Sequence, residues 1–162
     1  MLLGKIPGRF DMIFALVTVL LIAADQISKL FTLRLLKPVG NVTLIKNILD
    51  LTYVENRGAA FGMMQNARWI FIVVTLAAIA AMIYYKIKHK PHGMVINSAL
   101  SLLLSGAVGN MIDRVFRGFV VDMIEVTFIS YPVFNIADCF VVVGAILLCV
   151  YIMFIYKEKD NE

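Results

Sequence analysis

Two aspartates, Asp122 and Asp138, stand in short polar motifs of a chain that is otherwise strongly hydrophobic. An ionisable side chain near hydrocarbon costs roughly 2.5–3.5 kcal/mol on insertion scales, and such residues usually mark a functional site. Two facing carboxylates cannot both ionise cheaply, so they share one proton and supply a base and an acid together. The sequence therefore predicts an acid–base pair of aspartates.

The composition assigns these aspartates to a mainly α integral membrane protein. Of the 162 residues 61% are hydrophobic, and the mean hydropathy is +0.88, whereas soluble domains are about 45–50% apolar. The length fits one polytopic membrane domain, and the net charge of +4 reflects basic residues at span ends rather than nucleic-acid binding. Four hydrophobic runs approach the ~20 residues that a spanning helix needs. The predicted spans are 12–31, 69–85, 94–113 and 135–156.

The first run also resembles a secretory signal peptide, because Lys5 and Arg9 precede its apolar middle. No small-residue cleavage site followed by a soluble mature protein accompanies it, so a first span is the preferred interpretation.

Four spans place both termini on one side of the membrane and the polar motifs on the other. Lysine and arginine number seven on the terminal side and eight on the polar side, so the raw count does not decide the orientation. Three lysines crowd the terminal-side loop 86–90, and dense basic loops are typical of the cytoplasmic face. We therefore predict cytoplasmic termini, including the tail 157–162, and a polar site near the extracytoplasmic face.

The first loop on the polar side, 32–68, is too long for a simple connection between two helices. Alternating hydrophobicity around 48–54 is typical of strands, so we predict a small extracytoplasmic β-sheet in this loop. Asn56 then precedes Gly58 and Gly62, which permit a turn or a close backbone approach. The motif is either a plain hairpin turn or part of the polar site.

The third span carries small and polar residues at every fourth position, which places them on one helix face. This pattern predicts a packing seam between helices, in which small residues allow close contact. The residues are Asn97, Ser101, Ser105, Gly109 and Asp113.

Charged and amide side chains also lie at the polar-side ends of the first and third spans. Asn110, Asp113 and Arg114 lie within about one turn of each other, and we expect them to support the site rather than to react. Asp25 and Lys29 are neighbours on a helix face and form either an ion pair or a simple anchor, with Lys29 reaching the headgroups.

The fourth span begins with a local capping pattern. Asn135 suits the N-cap, and Asp138 falls at the third helical position, where free backbone N–H groups favour a carboxylate. Capping alone explains Asp138 in isolation. The short connection 123–134 can nevertheless fold Asp122 back over the same helix start. The helix N-terminus favours the ionised form of Asp138, which makes Asp122 the preferred carrier of the shared proton. The sequence does not decide that assignment.

The polar side of the membrane lacks the residues that other kinds of hydrolytic site require. His89 and His92 lie across the bilayer, so neither activates a nucleophile or completes a metal site there. Cys139 has no base partner, and Cys149 is ~15 Å away along the same helix, beyond disulfide reach. We expect neither a metal nor another cofactor.

The polar motifs together resemble those of the lipoprotein signal peptidases (signal peptidase II), in order and over nearly the whole chain. The motifs are Asp25-Gln-x-x-Lys29, Asn56-x-Gly58-Ala-Ala-Phe61, Gly109-Asn110-x-x-Asp113-Arg114, Val120-Val121-Asp122-Met123 and Phe134-Asn135-x-Ala137-Asp138. Met123 and Cys139 depart from the usual Phe and Ser, which affects local packing only.

This resemblance implies an aspartyl intramembrane protease of the bacterial plasma membrane. It would remove the signal peptide of a prolipoprotein, cutting just before the diacylglyceryl-modified cysteine, with Asp122 and Asp138 as catalytic residues. The resemblance further implies that eight residues bind substrate or hold the dyad. These are Asn56, Gly58, Asn110, Arg114 and Asn135, with Asp25, Lys29 and Asp113 as further support.

Two other classes of function remain open on the sequence. A small ion- or proton-coupled transporter would also place carboxylates in the membrane, but near its midplane. A non-catalytic assembly protein would use the seam of the third span and would not need two juxtaposed aspartates. For the peptidase we expect a monomer whose partners are the lipidated precursor and membrane lipid.

Overall fold

Four long helices form the body of the molecule in this computed structural model, which describes residues 9–58 and 63–156. All four are long and apolar enough to cross a membrane, which confirms the predicted fold class. Short π-helical segments, Thr32–Leu36 and Tyr151–Tyr156, extend the first and last helices. The helices are α1 (Arg9–Phe31), α2 (Arg68–His89), α3 (Met94–Phe116) and α4 (Ile136–Val150).

The central helix is α3, because α1, α2 and α4 all pack against it. Every residue of the predicted seam, from Asn97 to Asp113, is buried. Glycines bring α4 very close: a Cβ on Gly106 would lie 2.5 Å from the Ala137 carbonyl oxygen, and one on Gly144 would lie 2.9 Å from the Leu103 nitrogen. The seam therefore fixes the position of the start of α4.

A three-stranded antiparallel sheet in the order β1-β2-β3 caps one end of the bundle. Strands β1 (Asn41–Ile45) and β2 (Leu49–Asn56) come from the first loop, as predicted. The third strand, β3 (Val120–Val126), follows α3 and lies outside that loop. Asp122 therefore stands on a strand, whereas the sequence placed it only in a connection.

The chain after β3 turns back onto the strand before α4 begins. Phe134 and Ile124 exchange backbone hydrogen bonds, and Met123 N–H also donates to the Phe134 carbonyl oxygen at 3.0 Å. This return brings Asn135, the first residue before α4, alongside Asp122.

A polar cluster ties the helices together at the end opposite the sheet. Lys86 Nζ lies 2.8 Å from Asp11 Oδ1 and donates to Asn97 Oδ1 at 2.7 Å, which joins α1, α2 and α3. The predictions for Lys5, for the tail 157–162 and for Gly62 concern positions outside the described residues.

Candidate active site

Asp122 is almost completely buried where β2 and β3 meet, with 1% of its surface exposed. Its two carboxylate oxygens accept hydrogen bonds from two amides. Asn135 Nδ2 donates to Oδ1 at 2.6 Å, and Asn56 Nδ2 donates to Oδ2 at 3.0 Å. These neutral donors orient the carboxylate without neutralising it.

Asp138 stands in a capping box at the start of α4. Its N–H donates to Asn135 Oδ1 at 3.0 Å, and its Oδ2 accepts from the Asn135 N–H at 3.1 Å. Its other oxygen, Oδ1, accepts from Asn110 Nδ2 at 2.7 Å. The predicted cap is thus present, and Asp138 is also held by α3.

Asn135 connects the two carboxylates. Its Nδ2 contacts both Asp122 Oδ1, at 2.6 Å, and Asn110 Oδ1, at 3.1 Å, while its Oδ1 caps Asp138. One amide therefore sets the position of both aspartates, and the N-cap of α4 serves the site as well as the helix.

Burial first, and the negative charge of Asp138 second, raise the pKa of Asp122 from its ordinary value to about 6. The hydrogen bonds from Asn135 and Asn56 oppose this rise, because they stabilise the charged form. A carboxyl group in this range exchanges its proton near neutral pH, as a general acid requires.

A buried ionic cluster lies beneath the dyad. Lys29 Nζ is 3.0 Å from Asp25 Oδ2 and 3.1 Å from Asp113 Oδ2, and all three side chains are fully buried. Lys29 therefore forms the predicted ion pair and does not reach the headgroups. It also donates to Asn110 Oδ1 at 2.9 Å, which turns the Asn110 amide towards Asp138.

The carboxylates of this cluster hold the backbone that carries the dyad. Asp25 Oδ1 accepts from the Ala137 N–H at 3.1 Å, one residue before Asp138. Asp113 Oδ2 accepts from the Val121 N–H at 3.0 Å, one residue before Asp122. Each aspartate of the dyad is thus fixed through its preceding residue.

Arg114 of α3 and Gly58 of the first loop lie together on one side of the site. Arg114 Nη2 donates to the Gly58 carbonyl oxygen at 3.2 Å, and its guanidinium lies 4.8 Å from the centre of the Phe71 ring. Gly58 N–H donates to Asn56 Oδ1 at 3.0 Å, which fixes the amide that faces Asp122. A Cβ on Gly58 would lie 2.5 Å from the Met63 carbonyl oxygen, so a side chain does not fit there.

Asp122 and Asp138 both line a cavity of about 640 Å³ between the sheet and α4, although little of the Asp122 surface is exposed. A second, mostly apolar groove of about 430 Å³ adjoins it and shares Asp138, Tyr131, Phe134 and Val142. The first cavity is further lined by Val54, Glu55, Asn56, Gly58, Gln65, Arg114, Ser130, Pro132, Val133 and Val141.

The structure adds residues that the sequence did not single out. Gln26 Nε2 donates to Asp25 Oδ2 and to the Gly109 carbonyl oxygen, both at 3.1 Å, and Arg117 pairs with Asp113. Arg117 stands four residues after Asp113, so helix spacing could have indicated it. Gln26 stands in the first motif beside Asp25, a spacing that does not make neighbours on a helix face, and the motif gave it no role. Gln65 lines the cavity from a loop, where no periodic pattern points to it.

The chain is similar in sequence to proteins of a known family. A sequence model described as signal peptidase (SPase) II matches residues 17–154. The chain belongs to the signal peptidase II family. A lipoprotein signal peptidase of Clostridioides difficile is 49% identical over 93% of this chain and 100% of its own length. Another, from Clostridium acetobutylicum, is 42% identical over 87% of this chain and 94% of its own.

The fold agrees with this family. A solved bacterial membrane enzyme superimposes with a TM-score of 0.85 at 30% identity, over 98% of this chain and 96% of that one. A second bacterial membrane enzyme gives a TM-score of 0.82 at 30% identity, over 94% of this chain and 99% of that one. Membership of the signal peptidase II family implies a protease, and the four spanning helices make it a multi-pass membrane protein.

Proposed function

We propose that this protein is an aspartyl endopeptidase that removes the signal peptide of bacterial prolipoproteins, cutting just before the diacylglyceryl-modified cysteine. The proposal rests mainly on one observation: the Asn135 side chain bonds to both Asp122 and Asp138 beside an open cavity. The family match and the names of the relatives support the substrate class.

In the proposed reaction, ionised Asp138 takes a proton from water, and the water oxygen attacks the scissile carbonyl carbon. Protonated Asp122 donates a hydrogen bond to the carbonyl oxygen as negative charge develops there. The carbon–nitrogen bond then breaks, and a dyad proton passes to the leaving amine. The raised pKa of Asp122, about 6, supports its role as the proton carrier.

The two adjoining cavities suit a substrate that is part peptide and part lipid. The peptide would lie in the larger of the two cavities, under β2, where Asn56 and Arg114 offer donors. An acyl chain would lie in the apolar groove, which Phe128, Val142 and Val143 line together with Asp138. A lipid-linked cysteine would thereby place its amide next to the dyad.

We further propose that residues 1–162 act as one membrane domain and as a monomer, with cytoplasmic termini and the dyad near the extracytoplasmic face. Lys86 and Lys88 in the last turn of α2, and Lys90 in the loop that follows, support this orientation, because they lie at the end opposite the dyad. The sequence had placed all three lysines in a loop. A bacterial plasma-membrane location follows from the lipoprotein substrate.

The deciding experiment compares two precursor peptides with the purified protein in a lipid-containing detergent. One carries a diacylglyceryl-cysteine and the other is its unlipidated twin, and mass spectrometry locates the cut. We expect cleavage of the lipidated peptide alone, on the amino side of the modified cysteine. Cleavage of both peptides at equal rates would reject the lipid requirement.

Isosteric variants test the dyad in the same assay. Asp122→Asn and Asp138→Asn should each lower kcat by at least about 10²-fold, the lower end of general acid–base contributions. Asp50→Asn is the matched control, because Asp50 stands on β2, contacts Asn41 and lies outside the cavity. A dyad variant that cleaves at the rate of the Asp50 control would refute the mechanism. Proton-dependent uptake without cleavage would instead favour a transporter.

A further inference from the structure

A separate cavity, of about 720 Å³, lies at the end of the bundle opposite the dyad and its two adjoining cavities. Helices α2 and α4 both pack on α3 rather than on each other, and the cavity occupies the space between them. Its floor is Leu100 of α3, which is buried. The peptidase reaction proposed above makes no use of this space.

The lining of this cavity changes from apolar to basic along its length. Met82, Leu100 and Leu148 line the apolar part, while His89, Lys90 and His92 come from the end of α2 and the following loop. The Tyr85 and His89 rings stack with their centres 5.0 Å apart, which holds one imidazole at the rim. A slot with an apolar body and a basic mouth matches one lipid molecule.

Lys90 is the charged residue at the mouth within the part of the chain that the structure describes. None of the described lining residues is acidic, and the nearby Asp11 carboxylate lies 2.8 Å from Lys86 Nζ. Lys88, by contrast, points its ammonium at the Tyr84 hydroxyl at 2.8 Å and does not line the cavity. Lys90 thus offers a positive charge to an anion at the membrane surface.

We propose that this cavity binds one anionic phospholipid of the membrane leaflet opposite the dyad. Its phosphate contacts the basic mouth at Lys90, and an acyl chain lies over Leu100 and Leu148. Basic pockets between spanning helices are the usual recognition elements for such headgroups. The bound lipid fills the gap between α2 and α4 and thereby braces α2, whose outer face is largely exposed.

Native mass spectrometry of the full chain in mild detergent tests this site. The probe is an equimolar mixture of dioleoyl phosphatidylglycerol and dioleoyl phosphatidylcholine, and we expect one phosphatidylglycerol to be retained preferentially. Lys90→Gln should weaken its retention about fivefold, the effect of one basic residue near a lipid surface. Lys88→Gln removes the same charge two residues away and should leave retention unchanged.

A second pair of variants tests the apolar part without altering charge. Ile152, on the π-helical extension of α4, lines the cavity and Ile146, on α4 itself, does not, although both are exposed, at 52% and 57%. Ile152→Trp should displace the lipid, and Ile146→Trp should not. Equal retention of phosphatidylglycerol and phosphatidylcholine would overturn the proposal. So would equal effects of the two lysine variants or of the two isoleucine variants, and so would lipid retention that appears only after deletion of residues 157–162.

Discussion

The two ends of the helix bundle use the same residue types for different purposes. At each end a lysine donates to the side-chain oxygen of an asparagine: Lys29 to Asn110 at 2.9 Å, and Lys86 to Asn97 at 2.7 Å. Asn97 then donates to backbone oxygens of the adjoining loop, whereas Asn110 donates to Asp138 at 2.7 Å. The same Lys–Asn unit therefore closes a loop at one end and orients a carboxylate at the other.

The ends also differ in how their carboxylates are balanced. Asp25 and Asp113 share the buried Lys29, and at the opposite end Asp11 pairs with Lys86. Within the described part of the chain, neither aspartate of the dyad forms an ion pair, and their side-chain partners are amides. Carboxylates paired with cations hold the fold, and those held by amides are left to exchange protons.

The largest difference between the two ends should be the loss of stability when Lys29 or Lys86 is replaced. Lys29→Met leaves the fully buried Asp25 without a cation and Asp113 with Arg117 alone, which should lower the free energy of unfolding by about 3–5 kcal/mol and abolish cleavage. Lys86→Met should cost only about 1 kcal/mol, because its partner Asp11 is 48% exposed. Unfolding followed by thiol accessibility in detergent measures both; equal losses would mean that burial does not separate the two ends.

The two asparagines should separate activity from stability. Asn110→Ala removes a hydrogen bond to an ionised group, worth about 1.5–3 kcal/mol, and should lower kcat about 10- to 150-fold. Asn97→Ala should leave kcat unchanged and lower the unfolding temperature, because its partners belong to the loop after α2. Cleavage assays on both variants check this, and a large fall of kcat for Asn97→Ala would contradict it.

Local patterns predicted much of this architecture. Hydropathy located the four spans, four-residue spacing identified the seam of α3 and the Asp25–Lys29 pair, and the cap at Asn135 was visible within four residues. The third strand was missed, because β3 pairs with a strand 64 to 77 residues earlier and has no alternating pattern of its own. The Asn56–Asp122 contact depends on that pairing, so the family resemblance assigned both to one site but no local pattern predicted their contact.

Asn56 offers a smaller, pH-dependent test of the amide-held carboxylate. With a pKa near 6, Asp122 loses its proton as pH rises, so cleavage should decline from about pH 6 upwards. Asn56→Ala removes a donor that stabilises the charged form, which should raise this pKa and move the alkaline limb upwards by as much as about one unit. Asn41→Ala, on exposed β1, is the control; an alkaline limb that moves down would reverse the assigned sign.

The smallest effects should come from the arginines that flank Gly58. Arg114→Gln removes the donor to the Gly58 carbonyl oxygen and the contact with Phe71, so KM should rise about tenfold, the equivalent of one hydrogen bond of about 1.4 kcal/mol. Arg57→Gln breaks a half-exposed pair with Glu55 and a surface contact with the Phe119 ring, and KM and stability should stay within about 0.5 kcal/mol of wild type. Because both variants lose one positive charge near the cavity, equal effects on KM would show that charge alone attracts the substrate. A rise of KM for Arg114→Gln alone would show that the half-buried guanidinium shapes the cavity wall, just as Lys29 orients the Asn110 amide from beneath the dyad.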